Sequence, residues 1–226
     1  MFIPYKDDNP RILIPYVTWG ILILNVLVFV FQMVYDADAQ YPSSLSYGTI
    51  PSLLMGYSQP IDFPFFVLTP VLTLISSMFM HGSIAHILGN MLFLYVFADN
   101  IESILGHRKF LLFYLLCGII ATLSQVATNL HSTVPIVGAS GAISGVMAAY
   151  LVKYPKAQIH VLIFIFPVVI PAAVVVGFWF ITQLINGAAD LNHSGGGVAW
   201  FAHIGGFISG VILLTFMTKN KFKWKT

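Results

Sequence analysis

Residues 110–152 read FLLFYLLCGIIATLSQVATNLHSTVPIVGASGAISGVMAAYLV, and this stretch between Lys109 and Lys153 contains no Asp, Glu, Lys or Arg. A helix needs about 20 apolar residues to cross the hydrocarbon core of a bilayer, so the stretch is too long for one transmembrane helix. The polar run 128–133, followed by Pro135, divides it and predicts two spans, at about 110–127 and 137–152. Two adjacent spans predict a polytopic membrane protein of the all-α class.

The composition of the whole chain agrees with a membrane protein. The chain has 226 residues, of which 58% are hydrophobic and 8% are charged, and its mean hydropathy is +0.88. Soluble domains carry roughly 25% charged residues, so soluble, disordered and nucleic-acid-binding proteins are poor fits. The single cysteine, Cys117, permits no intrachain disulfide and no cysteine-based metal cluster.

Four more long intervals without charged residues predict four further spans. These spans lie at about 12–35, 71–98, 160–186 and 200–218. The sequence therefore predicts a six-helix bundle forming one domain over residues 1–226. Two prolines in the fifth span, Pro167 and Pro171, predict a kinked helix there.

The basic residues predict the orientation of the spans. They occur near the N-terminus, after spans two and four, and near the C-terminus, as Lys6, Arg11, Arg108, Lys109, Lys153, Lys156, Lys219, Lys221, Lys223 and Lys225. By the positive-inside rule these segments are cytoplasmic. Both termini are then cytoplasmic, and spans two, four and six run from the outer to the inner face.

Polar residues occur where these three spans begin. Span four opens with Ser140, span six contains His203 near its start, and span two contains His86 and Asn90. Polar groups within spans are candidates for function because they are costly in lipid. His86 and Asn90 are four residues apart and share one helix face. The sequence thus places all four side chains at similar depth below the outer surface.

Small residues predict that spans four and six pack closely. Gly141 and Gly145 are four residues apart, as are Gly206 and Gly210, and such pairs allow helix backbones to approach one another in lipid. Because His203 lies on the same face as the second pair, we expect close packing to bring it to the serine of span four.

A serine beside a histidine favours nucleophilic acyl transfer. The hydroxyl of Ser140 needs a base within hydrogen-bond reach, and His203 can take the proton and later return it to the leaving amine. The negative oxygen of the tetrahedral intermediate needs preset donors, which Asn90, His86 and the backbone N–H of Ser140 or Gly141 could provide. Since the predicted spans contain no carboxylate, we predict a Ser-His dyad.

Three motifs carry a resemblance to a known family. They are Gly138-Ala-Ser140-Gly141, a histidine-rich segment from His81 to Asn90, and an alanine-histidine pair at 202–203 followed by glycines. In these features the chain, from about residue 15 to 216, resembles the rhomboid intramembrane serine proteases.

The resemblance implies a role for each matching residue. Ser140 would be the nucleophile and His203 the general base, with His86 and Asn90 as oxyanion-hole side chains. Gly138 would form the backbone bend beside the nucleophile, and Gly141 would follow it. His81 would have a structural role through hydrogen bonds.

One position departs from the family pattern. Some members carry an aromatic residue one turn after the serine, which stacks on the catalytic histidine, whereas this chain has Ser144. We therefore expect the imidazole to be oriented by another group, such as the Ser144 hydroxyl or a nearby phenylalanine.

The resemblance also implies substrates and a location. The substrates would be transmembrane proteins cut near the outer end of a helix, and the partners would be these proteins and membrane lipid, with no nucleic acid, cofactor or metal. Water must reach Ser140, so we expect a polar cavity open to the outside. The short form resembles bacterial members, which predicts the bacterial cytoplasmic (inner) membrane.

Two other functional classes remain as alternatives. The chain could be a catalytically inactive relative that binds membrane helices, or a histidine-ligated metal enzyme or transporter in the membrane. His81 and His86 are five residues apart, about 140° around a helix, which disfavours a shared metal ion.

Overall fold

The computed structural model describes residues 2–10, 12–60, 66–190 and 197–218. Arg11 and the basic tail from Lys219, which contributed to the predicted orientation, lie outside the described residues. The elements follow in chain order as β1 (Phe2–Asp7), α1 (Tyr16–Asp36), α2 (Ser43–Tyr47), α3 (Pro51–Leu54), α4 (Pro70–Ser76), a 3-10 turn (Ser77–Phe79), α5 (Ile84–Leu105), α6 (His107–Val126), α7 (Ser140–Lys153), β2 (Gln158–Ile163), β3 (Phe166–Pro171), α8 (Ala172–Asp190) and α9 (Trp200–Thr218).

Five helices in the described part of the chain are long and apolar enough to cross a membrane. They are α1, α5, α6, α8 and α9. The predicted class, a mostly helical polytopic membrane bundle, is confirmed. The predicted spans at 12–35, 110–127 and 200–218 agree with α1, α6 and α9 to within a few residues.

The predicted span at 137–152 corresponds to the short central helix α7. With 14 residues it is about 21 Å long, less than a hydrocarbon core. Every residue from Gly141 to Tyr150 is buried, because α5, α6, α8 and α9 all pack around this helix. The number of six spans therefore remains a prediction, and α7 is better described as the core of the bundle.

The predicted span at 71–98 is wrong at its start. The chain turns after the 3-10 segment, and α5 begins only at Ile84. Ser83 has an extended backbone (φ −165°, ψ 163°), and its hydroxyl accepts a hydrogen bond from the backbone N–H of His86. This N-cap starts a new helix, so the uncharged stretch 71–98 is divided into two helical segments.

The other end of α5 contradicts the prediction that spans lack carboxylates. Asp99 and Glu102 lie in this helix with 4% and 0% of their surface exposed. Glu102 accepts hydrogen bonds from the backbone N–H groups of Val17 (2.9 Å) and Thr18 (2.8 Å). It thereby caps the first turn of α1, and this pairing makes its burial tolerable.

The predicted span at 160–186 is wrong up to residue 171, nearly half of its length. Residues 158–171 form a hairpin, β2 and β3, which pairs with β1 in an antiparallel sheet of order β1-β2-β3. β-Branched residues are frequent in this hairpin and favour strands. Pro167 and Pro171 belong to β3, the edge strand, where the missing N–H is tolerated, so they do not kink a helix.

Glycines allow α7 and α9 to touch along their backbones. A Cβ atom at Gly206 would collide with the carbonyl of Gly141, and one at Gly210 would collide with the carbonyl of Gly145. The prediction of close packing through these two glycine pairs is confirmed. The contact fixes the relative height of the two helices that carry Ser140 and His203.

Candidate active site

The starts of three helices surround a cavity of about 980 Å³. Ser140 is the first residue of α7, His203 lies in the first turn of α9, and His86 lies in the first turn of α5 with Asn90 one turn further on. All four side chains line the cavity. The sheet lies at the opposite end of the bundle, where β1 meets the last turns of α5 and α7 through bonds of Asp7.

The serine and the histidine are within hydrogen-bond distance. His203 Nε2 lies 2.7 Å from Ser140 Oγ. His203 is 8% exposed, and its ring has two indoles as neighbours, with ring centroids 5.7 Å from Trp179 and 6.1 Å from Trp200. A hydroxyl at this distance from a largely desolvated imidazole can transfer its proton to it.

The other ring nitrogen of His203 contacts a residue that the sequence analysis missed. His203 Nδ1 lies 2.8 Å from Oε1 of Gln183 in α8. The signal in the sequence that could have identified Gln183 is that it is a polar residue inside the predicted span at 160–186. Ser144 does not orient the ring, because its hydroxyl donates to the backbone carbonyl of Ser140 at 2.7 Å.

Gly138 brings His86 next to the serine. Its φ of 124° is a conformation that side chains rarely adopt, and a Cβ atom there would lie 2.7 Å from His86 Nε2 and 3.7 Å from Ser140 Oγ. Only glycine fits between these two side chains. The Nδ1 atom of His86 accepts from the backbone N–H of Gly82 at 3.4 Å, which leaves Nε2, on the side of Gly138, to carry the proton of the neutral ring.

Asn90 and His81 form a second pair of side chains within hydrogen-bond distance. Asn90 Nδ2 lies 2.9 Å from His81 Nε2, and the backbone N–H of His81 donates to Gln32 of α1 at 2.9 Å. Since an amide nitrogen has two protons, Asn90 retains one for another acceptor.

His81 and His86 do not lie on one helix, so the prediction from their helical spacing is wrong. His81 precedes α5, so the spacing of 140° does not apply, and the rings of His81 and His86 are 5.0 Å apart between centroids. The described residues contain no group of three or more His, Cys, Asp or Glu side chains arranged to hold a metal ion.

Backbone N–H groups add positive potential at the serine. The first-turn N–H groups of a helix lack acceptors within the helix, and the helix dipole favours negative charge at this end. Ser140 and Gly141 occupy these first positions of α7. The preceding loop is fixed by the Gly138 N–H, which donates to the carbonyl of Ser77 at 2.9 Å.

The fold and this site define a multi-pass membrane protein with a serine–histidine pair in a cavity between helix ends. Residues 69–220, about two thirds of the chain, match the family model described as the Rhomboid domain. The chain belongs to the rhomboid family, and the resemblance inferred from its motifs is confirmed.

Individual relatives are similar over a part of their length. The chain is 32% identical over 152 residues to presenilin-associated rhomboid-like protein A, mitochondrial, of Danio rerio, covering 63% of this chain and 37% of that protein. It is 31% identical over 157 residues to rhomboid protein 1, mitochondrial, of Saccharomyces cerevisiae, covering 67% and 43%. The chain thus spans about two fifths of the length of these relatives. Both are mitochondrial by name, so they do not support the predicted bacterial membrane.

Proposed function

We propose that this chain is an intramembrane serine endopeptidase with Ser140 as nucleophile and His203 as general base. The observation that carries the proposal is the 2.7 Å separation of Ser140 Oγ and His203 Nε2 inside a cavity that also contains preset hydrogen-bond donors. A nucleophile, a base and a place for the oxyanion are the three parts that acyl transfer requires.

The reaction proceeds through an ester on the serine. His203 Nε2 takes the hydroxyl proton as Ser140 Oγ bonds to the carbonyl carbon of the scissile amide, and the carbonyl oxygen becomes negative. The C–N bond then breaks while His203 gives the proton to the leaving nitrogen. Water, deprotonated by His203, attacks the ester, and the serine regains its proton as the acid product leaves.

The oxyanion is stabilised by donors on two helices. His86 Nε2–H faces the position beside Ser140, Asn90 supplies an amide N–H, and the first turn of α7 supplies the N–H of Ser140 or Gly141. Each such donor contributes roughly 10²–10³-fold in kcat in known acyl-transfer enzymes. In this proposal Gly138 keeps the space between donor and nucleophile, and His81 holds the amide of Asn90.

The substrates are transmembrane proteins. An amide in a regular helix is shielded by its own hydrogen bonds, so a substrate must unwind locally to present its carbonyl to Ser140. The cavity is rimmed by exposed residues of the turn at 82–83, which gives water a path to the serine. Cleavage is therefore expected near the outer end of a substrate helix.

The proposal includes the setting of the enzyme. Residues 1–226 act as one rhomboid-like domain in contact with membrane lipid, with both termini cytoplasmic and no cofactor. The bacterial cytoplasmic membrane remains our prediction for its location.

Covalent labelling tests the nucleophile directly. Purified protein in liposomes is treated with a fluorophosphonate probe, and cleavage of a co-reconstituted single-span reporter is measured in parallel. We expect Ser140→Ala to abolish both signals while its thermal unfolding stays that of the wild type. Ser144→Ala, one turn further along the same helix, is the matched control and retains both signals.

Three results separate the alternatives. Reporter cleavage by purified Ser140→Ala protein would refute the serine mechanism. A folded wild-type protein that neither labels nor cleaves, yet binds the reporter, would indicate the inactive helix-binding relative. Activity lost with EDTA and restored by a metal ion would indicate the metal enzyme.

A further inference from the structure

The hydrogen bonds of Gln183 determine which of its amide atoms faces His203. Gln183 Nε2 lies 3.0 Å from the backbone carbonyl of Trp179. A carbonyl oxygen can only accept, so the NH₂ group of Gln183 must point to it. The Oε1 atom is therefore the one that lies 2.8 Å from His203 Nδ1.

The neighbouring hydroxyl supports the same orientation. Thr182 Oγ1 lies 2.6 Å from the carbonyl of Trp179 and 3.0 Å from Gln183 Nε2. Its single proton goes to the carbonyl, so it accepts from the second N–H of the amide. Both protons of the amide are then used within α8, and its oxygen is directed at the histidine.

This orientation fixes the protonation pattern of the imidazole. Because Gln183 Oε1 can only accept, the ring proton of neutral His203 must be on Nδ1. Nε2 then carries a lone pair, and the hydroxyl of Ser140 donates to it over 2.7 Å. The hydrogen bonds that connect the Trp179 carbonyl to Ser140 agree with only one placement of the protons. In that placement Nε2 of His203 can accept the proton of the serine.

We propose that Gln183 is a positioning residue that holds His203 in the Nδ1–H tautomer and in the plane required for Ser140. This inference rests on the proposed function and adds a third member to its dyad. Gln183 is 5% exposed, so the bond is shielded from competing water. It takes the orienting part that a carboxylate has in a serine triad, without placing a negative charge in the membrane interior.

A neutral amide has a further consequence for the reaction. A carboxylate would also stabilise the imidazolium formed when Ser140 gives up its proton, whereas an amide oxygen does so more weakly. The identity of residue 183 should therefore control the pH dependence of activity as well as its rate. A side chain with a purely structural role would not affect that dependence.

Two substitutions of Gln183 separate orientation from packing. Gln183→Leu keeps the approximate volume but removes the acceptor, and we expect kcat to fall roughly 10²-fold with KM within about twofold. Gln183→Glu keeps an acceptor at this position and introduces a charge. We therefore expect this variant to retain most of the wild-type activity at alkaline pH. Its acid limb in kcat/KM should move to higher pH by about one unit or more, because the carboxylate favours the protonated imidazole. Ile185→Ala, on the exposed side of α8, is the control and should match the wild type.

A spectroscopic measurement tests the tautomer independently of cleavage. In protein labelled with ¹⁵N-histidine, the ring signals of His203 are assigned by their loss in His203→Ala. We expect the Nδ1–H pattern in the wild type and a mixture of tautomers in Gln183→Leu.

The inference can fail separately from the proposed function. It is overturned if Gln183→Leu keeps the wild-type kcat, if the acid limb of Gln183→Glu does not move, or if His203 carries its proton on Nε2. If Gln183→Leu does not fold, the shift of the acid limb in the pH profile of Gln183→Glu tests the inference in its place. A failure of the proposed function appears instead as cleavage by Ser140→Ala, and the tautomer measurement still tests Gln183 in that case.

Discussion

Adding one methyl group between α7 and α9 should separate Ser140 from its proposed base, His203. In Gly206→Ala the new Cβ would collide with the carbonyl oxygen of Gly141 and would lie 2.9 Å from its carbonyl carbon. Carbon atoms prefer about 3.5–4.0 Å, so the two backbones must move apart by about 1 Å. Rigid backbone on both sides leaves no flexible side chain to absorb the shift.

The size of the effect follows from the position of Gly206. It lies one turn after His203, and Gly141 adjoins Ser140, so the displacement acts directly on the contact between Ser140 and His203. A separation of 2.7 Å increased by about 1 Å is no longer a hydrogen bond. Misplacement by 1 Å costs roughly 10²-fold in rate, and overpacking costs about 1–3 kcal/mol of stability.

The assay compares two alanine variants in the same liposomes. Gly206→Ala should fold with a lower Tm and cleave the single-span reporter roughly 10²-fold more slowly than the wild type. Gly177→Ala in α8 is the matched control, since its added methyl group would meet no heavy atom within 4 Å apart from its chain neighbours and the backbone of its own helix, and its Tm and rate should be retained. A wild-type rate and Tm for Gly206→Ala would refute direct backbone contact between α7 and α9. Equal losses in both variants would show that the effect does not arise at that contact.

Two further predictions concern the end of the bundle remote from the serine. Glu102→Ala should lower Tm and reduce the free energy of unfolding by about 2 kcal/mol or more, because two backbone N–H groups in the first turn of α1 lose their acceptor. Thermal unfolding in detergent measures this loss, and an unchanged Tm would contradict the capping role. Burial, reinforced by the charge of Asp99, raises the pKa of the Asp7 carboxyl above its ordinary 3.8, so ionisation costs more in the folded chain. The stability of the wild type relative to Asp7→Asn should therefore fall as the pH rises above 3.8 and through the pKa of the folded state. The measurement is the Tm of both proteins as a function of pH, and parallel curves would exclude this effect.

The hydropathy of the chain predicted the bounds of three spans to within a few residues, but not those of the other three. The predictions for α1, α6 and α9 succeeded because each is bounded by charged or polar residues at both ends. The span at 71–98 failed because His81, Gly82 and Ser83 interrupt the apolar stretch, and Ser83 caps a new helix there. The span at 160–186 failed because an apolar run of this kind also fits a strand, and only pairing with β1 decides between helix and strand.

The charged residues inside α5 show the same limit. Charge in a sequence marks the end of a span only if the charge remains solvated. Glu102 instead lies 2.6 Å from Nδ1 of His107, five residues later, and accepts a hydrogen bond from the backbone N–H of Thr18, 84 residues earlier in the chain. The nearby histidine is visible in the sequence, but the N–H groups of α1 are brought to Glu102 only by the fold.

The linear sequence alone determined the class of protein, since 58% hydrophobic and 8% charged residues cannot cover a soluble surface. It also determined which residue types gather at the helix starts, because periodicity and the glycine pairs indicate facing surfaces. Only the tertiary structure decided which atoms meet. The 2.7 Å contact of Ser140 with His203, and the acceptor that Gln183 supplies from a third helix, depend on the rotation and height of α7, α8 and α9 relative to one another. Those quantities are set by packing among residues far apart in the chain, where a shift of about 1 Å changes a hydrogen bond into no bond.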